Sequence, residues 1–211
     1  PGKRPDGAAF DRASGLVFVM NAKSNDATVI DPTAKKLVAT IAMGGKPEAA
    51  VSDGAGRMFV NIEDTAEIAV IDVARRTVVG RYKLPGCEEP SGIALGPARR
   101  TLISACHNRI VKLIDAKSGA DRGSVPVGEN SDGAIFDAGR RLAYIPSKDG
   151  TLTIFGLDKA AKPHDIETVK TAVGARTAAL DPATGRVYLA AARSTTDAKG
   201  EEQQVPRSLQ I

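Results

Sequence analysis

One feature constrains this chain more than any other: it repeats. The stretch "VIDPTAKKLVATI" (residues 29–41) returns 41 residues later as "VIDVARRTVVGRY", with Asp72 where Asp31 stood. Self-similarity at this period marks a repeat architecture. Five units open with "PDGAAFDRASGLVFVMN", "PEAAVSDGAGRMFVNIE", "PSGIALGPARRTLISAC", "SDGAIFDAGRRLAYIPS" and "ARTAALDPATGRVYLAA". Their equivalent positions Gly7, Ala49, Gly92, Gly133 and Thr177 lie 42, 43, 41 and 44 residues apart. In the first four units a polar loop then leads into a second apolar pair. The boundaries fall at about 4–45, 46–87, 88–130, 131–174 and 175–211, within one domain.

Each full unit holds four short runs rich in Val, Ile, Leu and Phe, separated by turns such as "DRASG", "DGAG", "GPAR" and "DPATG". Asp, Pro and Gly supply local hydrogen bonds, a preset φ and positive φ there. The runs are too short and too β-branched for helices. Many are apolar on both faces, as strands sandwiched between neighbouring sheets must be. Four strands per forty-odd residues predicts an all-β chain folded as a β-propeller of four-stranded antiparallel blades. A stacked β-solenoid would need much shorter repeats. Inner strands are expected near residues 7–11, 49–52, 92–96, 133–137 and 177–181.

The segments "FVMNAKSNDATVID", "FVNIEDTAEIAVID" and "ISACHNRIVKLID" resemble the YVTN-repeat propeller family, the YncE-like group, in which a strand ending in Asn leads through a polar loop to "VxVID". The fourth unit, "YIPSKDGTLTIF", has lost both the Asn and the "ID". The Trp-Asp dipeptides of WD repeats do not occur. The resemblance implies an exported ring, generally of seven blades, without an assigned activity. Against seven, the count here is short. Unit five is expected to stop after its third strand, at "SLQI", and nothing precedes the first inner strand to complete it. The chain therefore reads as the C-terminal five blades of a longer ring, with missing blades or a partner chain needed for closure.

Aligning the units puts Asp6, Glu48, Ser91, Asp132 and Arg176 at one position, where each inner strand begins. In a propeller these entry loops share a face with the loops joining strands two and three, around the central channel. The five are candidates for binding a cation, an amine or another polar small molecule, although entry positions also favour Asp and Ser for turn hydrogen bonds. The same face carries Glu88, Glu89, His107 and Asn108, the densest polar cluster in the sequence. His107 and His164, in "KPHDIETV", are the only histidines, so the ligand set of a catalytic zinc is not apparent and no metal site is assigned. No cofactor is predicted; a divalent cation held by carboxylates and carbonyls in the channel is the one exception the pattern leaves room for.

No "GxSxG", "GxxxxGK[ST]", "HExxH" or "CxxCH" occurs, and no catalytic residue is assigned. Two functions follow. The first is an extracytoplasmic binding or interaction propeller that takes a small molecule or protein at its channel face. The alternative is a lactonase-like hydrolase with a carboxylate-bound metal in the channel. The net charge of +4 is mild, Lys and Arg are spread along the sequence, and aromatics are only 4% of residues, which argues against specific nucleic-acid binding. No apolar run is long enough to span a membrane as a helix.

The two cysteines are the sharpest local signal. Cys87 precedes the first strand of unit three and Cys106 ends its second. If "PSGIAL" and "TLISAC" pair antiparallel, both lie at one end of a hairpin, within disulfide reach provided "CEEP" folds back. Two unrelated buried thiols would be the alternative. The bridge is the favoured reading, and it predicts an oxidising location, periplasmic or secreted.

Overall fold

The computed structural model describes residues 1–196, 200 and 202–211; residues 197–199 and 201, in the polar loop of unit five, lie outside it. Four complete blades follow one another in sequence order. Blade 1 contains β1 (Pro5–Asp11), β2 (Leu16–Asn21), β3 (Asp26–Asp31) and β4 (Lys36–Ala42). Blade 2 contains β5 (Pro47–Ser52), β6 (Arg57–Ile62), β7 (Glu67–Asp72) and β8 (Thr77–Lys83). Blade 3 contains β9 (Pro90–Leu95), β10 (Thr101–Cys106), β11 (Ile110–Asp115) and β12 (Asp121–Pro126). Blade 4 contains β13 (Ile135–Asp137), β14 (Leu142–Ser147), β15 (Thr151–Leu157) and β16 (Pro163–Lys170). Every blade is an antiparallel meander, and helical structure among the described residues amounts to two three-residue 3₁₀ turns. These are propeller blades, as the repeat predicts.

Unit five departs from its expected three strands. β17 (Thr177–Leu180) pairs with β18 (Val187–Ala190), and the loop beyond forms its own small hairpin of β19 (Ser194–Thr196) and β20 (Glu202–Gln204). The terminal "SLQI" does return beside β18, but only through one bridge between Ala191 and Gln210. β13 is also shorter than the expected 133–137, and ahead of it residue 131 meets the sheet only through an isolated bridge, Ser131 to Ser147.

Packing occurs between successive blades. Phe18, Met20 and Val29 of blade 1 meet Met58, Val60 and Ile62 of blade 2. Phe59, Ile68 and Val70 meet Ile93, Leu102 and Ile114, and Ile103, Val111 and Leu113 meet Ala143, Ile145 and Phe155. A central strand such as β6 therefore buries both faces, which explains its nearly continuous apolar sequence. On blade 1 the face turned away from blade 2 leaves Phe10 55% and Leu37 62% exposed.

The inner strands β1, β5, β9 and β13 approach one another closely, and the repeat-equivalent glycines explain how. A Cβ on Gly92 would lie 2.5 Å from the Gly133 carbonyl carbon, and one on Gly7 would lie 3.0 Å from the Glu48 carbonyl oxygen. Only hydrogen fits at Gly92. The first residues of the inner strands are thereby drawn together at one end of the channel.

Candidate functional site at the loop face

In units one to four the loops joining second and third strands do lie against the entries to the inner strands, and one side chain in each makes the contact. Ser24, Asp64, Asn108 and Asp149 accept hydrogen bonds from the backbone N–H groups of Lys3, Lys46, Glu88 and Glu129, at 3.0, 2.8, 3.1 and 2.9 Å. Asn108 is thus a loop clamp. Its Oδ1 holds Glu88 N–H and its Nδ2 donates to the Gly86 carbonyl at 2.9 Å, so both ends of the amide are engaged.

The five aligned channel-mouth residues divide into two groups. Glu48 forms an ion pair with Lys46 at 3.1 Å, and the Lys46 ammonium also contacts Glu63. Burial pushes Glu48 up to about 7, reinforced by its hydrogen bond with Glu63 and the Asp6 charge, and opposed by Lys46. Burial also tends to raise Glu63, but hydrogen bonds with Glu48 and Lys46 outweigh it and hold Glu63 below the usual carboxylate range. Asp6 itself is exposed and meets Glu48 only through its field.

The second group runs across three units. Ser91, buried at the start of β9, donates to Asp132, and Arg176 Nε lies 3.3 Å from Asp132 Oδ2. Asn61, fully buried in blade 2, extends this chain backwards. Its Nδ2 donates to the Ser91 and Gly92 carbonyls at 3.0 Å each, and its Oδ1 accepts from Ser104 Oγ at 3.0 Å. Asp132 and Arg176 also line a cavity of about 690 Å³ between units four and five, with Lys148, Arg193 and Ser194. Of the three acids aligned at the mouth, Glu48 thus has a cationic partner in Lys46 and Asp132 one in Arg176, while Asp6 stays exposed.

Glu88, Glu89 and His107 do come together, lining a second cavity of about 430 Å³ with Asn108, Arg109 and Glu129. His107 Nδ1 lies 2.8 Å from Glu89 Oε2, while Nε2 is buried without a partner among the described residues. His164 sits elsewhere, on the outer strand of blade 4 beside Asp165. The disulfide Cys87–Cys106 is formed, with Cα atoms 5.5 Å apart. Each cysteine immediately precedes a cavity residue, Glu88 or His107, so the bridge pins both walls. Among the described residues, no group of three or more His, Cys, Asp or Glu side chains is placed to hold a metal ion. No helix among the described residues is long and apolar enough to cross a membrane.

Lys46, Glu63 and Asn61 are absent from the residues picked out of the sequence. Lys46 and Glu63 fall outside the aligned column, and only knowledge of the loop contact pairs them with Glu48. The Asn of the repeat pattern also proves not to be one structural position. Asn61 pairs with Ile68 and faces blade 3, whereas Asn21 pairs with Asp26 and lies one residue further along its strand, facing away from blade 2.

No family model and no curated protein matches this sequence. Its fold is shared with solved structures. A chain of hydrazine synthase from Kuenenia stuttgartiensis aligns with a TM-score of 0.73 at 16% identity, over 97% of this chain and 66% of that one. A functionally unknown protein from Desulfotomaculum acetoxidans aligns with a TM-score of 0.78 at 10% identity, over 97% and 72%. This chain therefore spans just under two thirds of the hydrazine synthase chain it matches. At such identities the likeness establishes the propeller fold alone.

Proposed function

We propose that this chain is an extracytoplasmic propeller of the YVTN-repeat group that binds a small polar molecule at the loop face around its channel. The cavity of about 690 Å³ beside the Asp132–Arg176 pair carries this reading. Its size suits a small ligand, and it offers a carboxylate, guanidinium groups and a hydroxyl converging from two units. The disulfide supports the location, since such bridges persist in oxidising compartments. The "VID" of residues 29–31 and 70–72 and the "LID" of residues 113–115, spaced by 41 and 43 residues, support the family.

The test is a thermal-shift screen of polar metabolites on the full chain, followed by calorimetry on Asp132→Asn and Arg176→Gln. Ligands should raise the melting temperature of the wild type, and both variants should lose at least tenfold in affinity. Hits whose affinity ignores both substitutions would remove the site from this cavity. A stoichiometric divalent metal in the purified protein would replace the reading with the metal-dependent hydrolase.

A further inference from the structure

Along an antiparallel meander, the turns joining strands one to two and three to four emerge opposite the loop face. These turns span residues 11–15, 31–36, 53–57, 72–76, 96–100, 115–122, 137–141, 158–162 and 181–186. They hold fifteen of the chain's 29 lysines and arginines but only nine of its 25 acids. The excess of six positive charges exceeds the net +4 of the whole chain, so the remainder is net acidic. Basic residues that look scattered along the sequence are gathered onto one side of the molecule by the repeat.

The acids on this side are largely occupied by their own turns. Asp31 accepts from the N–H groups of Thr33 and Ala34, Asp115 from Lys117 and Ser118, and Asp158 from Ala160 and Lys162. Many of the cations, by contrast, are uncommitted. Arg12, Lys35, Lys36, Arg76, Arg100 and Arg186 are exposed, with no ion pair or side-chain hydrogen bond among the described residues.

The backbone supplies an independent sign. In six of these turns the residue four places after the Asp is left-handed. It is glycine in three, Gly15, Gly119 and Gly185, with φ of 72°, 74° and 76°. In the other three it is a cation, Lys35, Arg76 or Arg141, with φ of 52°, 56° and 59°. Glycine takes that conformation without steric cost and a long side chain does not. At these positions the chain carries charge where local geometry favours glycine.

Towards the axis the character changes. A cavity of about 630 Å³ opens between the inner turns, lined by Phe10, Val51, Leu95 and Phe136, with Arg12 at its edge. Exposed Phe10 and Leu37 lie close to Arg12 and Lys36 in sequence. Cations at turn tips from every blade, spread around an apolar centre, match a charged plane better than a groove that tracks a strand. A row of aromatic rings on which bases could stack is missing from these turns.

We propose that this turn face docks onto a bilayer surface carrying anionic phospholipid headgroups, leaving the loop face turned towards solvent. Polybasic surfaces bind such membranes through additive, salt-screened attraction, and apolar side chains among the cations strengthen the contact.

The test is co-sedimentation of the full chain with phosphatidylglycerol–phosphatidylcholine vesicles, against phosphatidylcholine alone. Binding should require phosphatidylglycerol and should fall at least tenfold between about 0.05 M and about 0.5 M salt. The variant Lys35→Gly/Lys36→Gln/Arg76→Gly/Arg100→Gln should bind at least a hundredfold more weakly, at roughly fivefold per cation lost. Its two glycines relieve left-handed residues, so its melting temperature should not drop, which separates lost charge from lost fold. Lys3→Gln/Arg4→Gln/Lys23→Gln/Lys170→Gln removes as many charges elsewhere and should keep the binding. Equal binding to both vesicle types, no binding at low salt, or undiminished binding by the first variant would overturn the proposal. So would tighter binding to a single-stranded oligonucleotide than to the anionic vesicles.

Discussion

Gly92→Ala adds one methyl group where fold and candidate site meet. The new Cβ would stand 2.5 Å from the Gly133 carbonyl carbon, 2.7 Å from Ala134 N and 2.8 Å from Gly133 Cα. All three are backbone atoms, so no side chain can swing aside and β9 must move away from β13. Overpacking of this kind costs about 1–3 kcal/mol, and the rigidity of backbone puts this case near the upper end. Against it stands a gain of about 0.4–1 kcal/mol, because alanine restricts the unfolded chain more than glycine does. The net expectation is a loss of about 2 kcal/mol, or roughly 4–8 °C in melting temperature for a chain of this size. Gly80→Ala is the internal control. A Cβ there meets nothing within 4 Å, so this change should be neutral or slightly stabilising. Urea titrations followed by far-UV circular dichroism would measure both. The displacement should also loosen the Ser91–Asp132 contact and weaken any ligand that uses Asp132. If Gly92→Ala is as stable as Gly80→Ala, the close approach of inner strands does not govern this fold.

Asn61→Ala should cost about 2–3 kcal/mol, because it strips partners from two buried carbonyls and from Ser104, and a urea titration will register the loss. Reducing Cys87–Cys106 should lower stability by about 3 kcal/mol, from loop closure across a separation of 19 residues, with mass spectrometry confirming the two thiols. Since the folded state raises Glu48 to about 7 from an ordinary 4.5, its contribution is full below 4.5 and fades as pH rises through 7. Glu48→Gln should therefore flatten the fall in stability across that window, in melting curves recorded at successive pH values.

The blades were legible because the repeat samples the same fold several times over. A drifted fourth unit could be placed by its neighbours, and two cysteines bracketing "PSGIAL" and "TLISAC" had little freedom once that hairpin was drawn. The site was less legible. An alignment column brings Asp6, Glu48, Ser91, Asp132 and Arg176 to one level, but not the groups that answer them from other columns. Lys46 and Glu63 reach Glu48 through a loop contact that belongs to a single unit. Asn108 lies in the polar cluster its sequence position suggests, but its further role as a clamp is hidden, because hydrogen bonding to a backbone N–H leaves no trace in residue type. The gathering of the cationic turns is hidden in the sequence for a related reason. Pairs such as Lys35–Lys36 and Arg75–Arg76 stand some forty residues apart in sequence, and only the alternation of strand direction puts them on one side.

Because the three buried apolar clusters each join one pair of neighbouring blades, the molecule is held together like courses of masonry rather than around a hub. No such cluster joins blade 4 to unit five among the described residues, and β16 is exposed along its whole length. Erosion should therefore start at that end. A protease finding Arg176, Arg186 or Arg193 would pare away unit five first and leave blades 1 to 4 standing. Blade 3, cross-linked by its disulfide and flanked on both faces, would be the last to yield. Damage to such a chain is graded, and what survives a cut depends on how many neighbours each blade keeps.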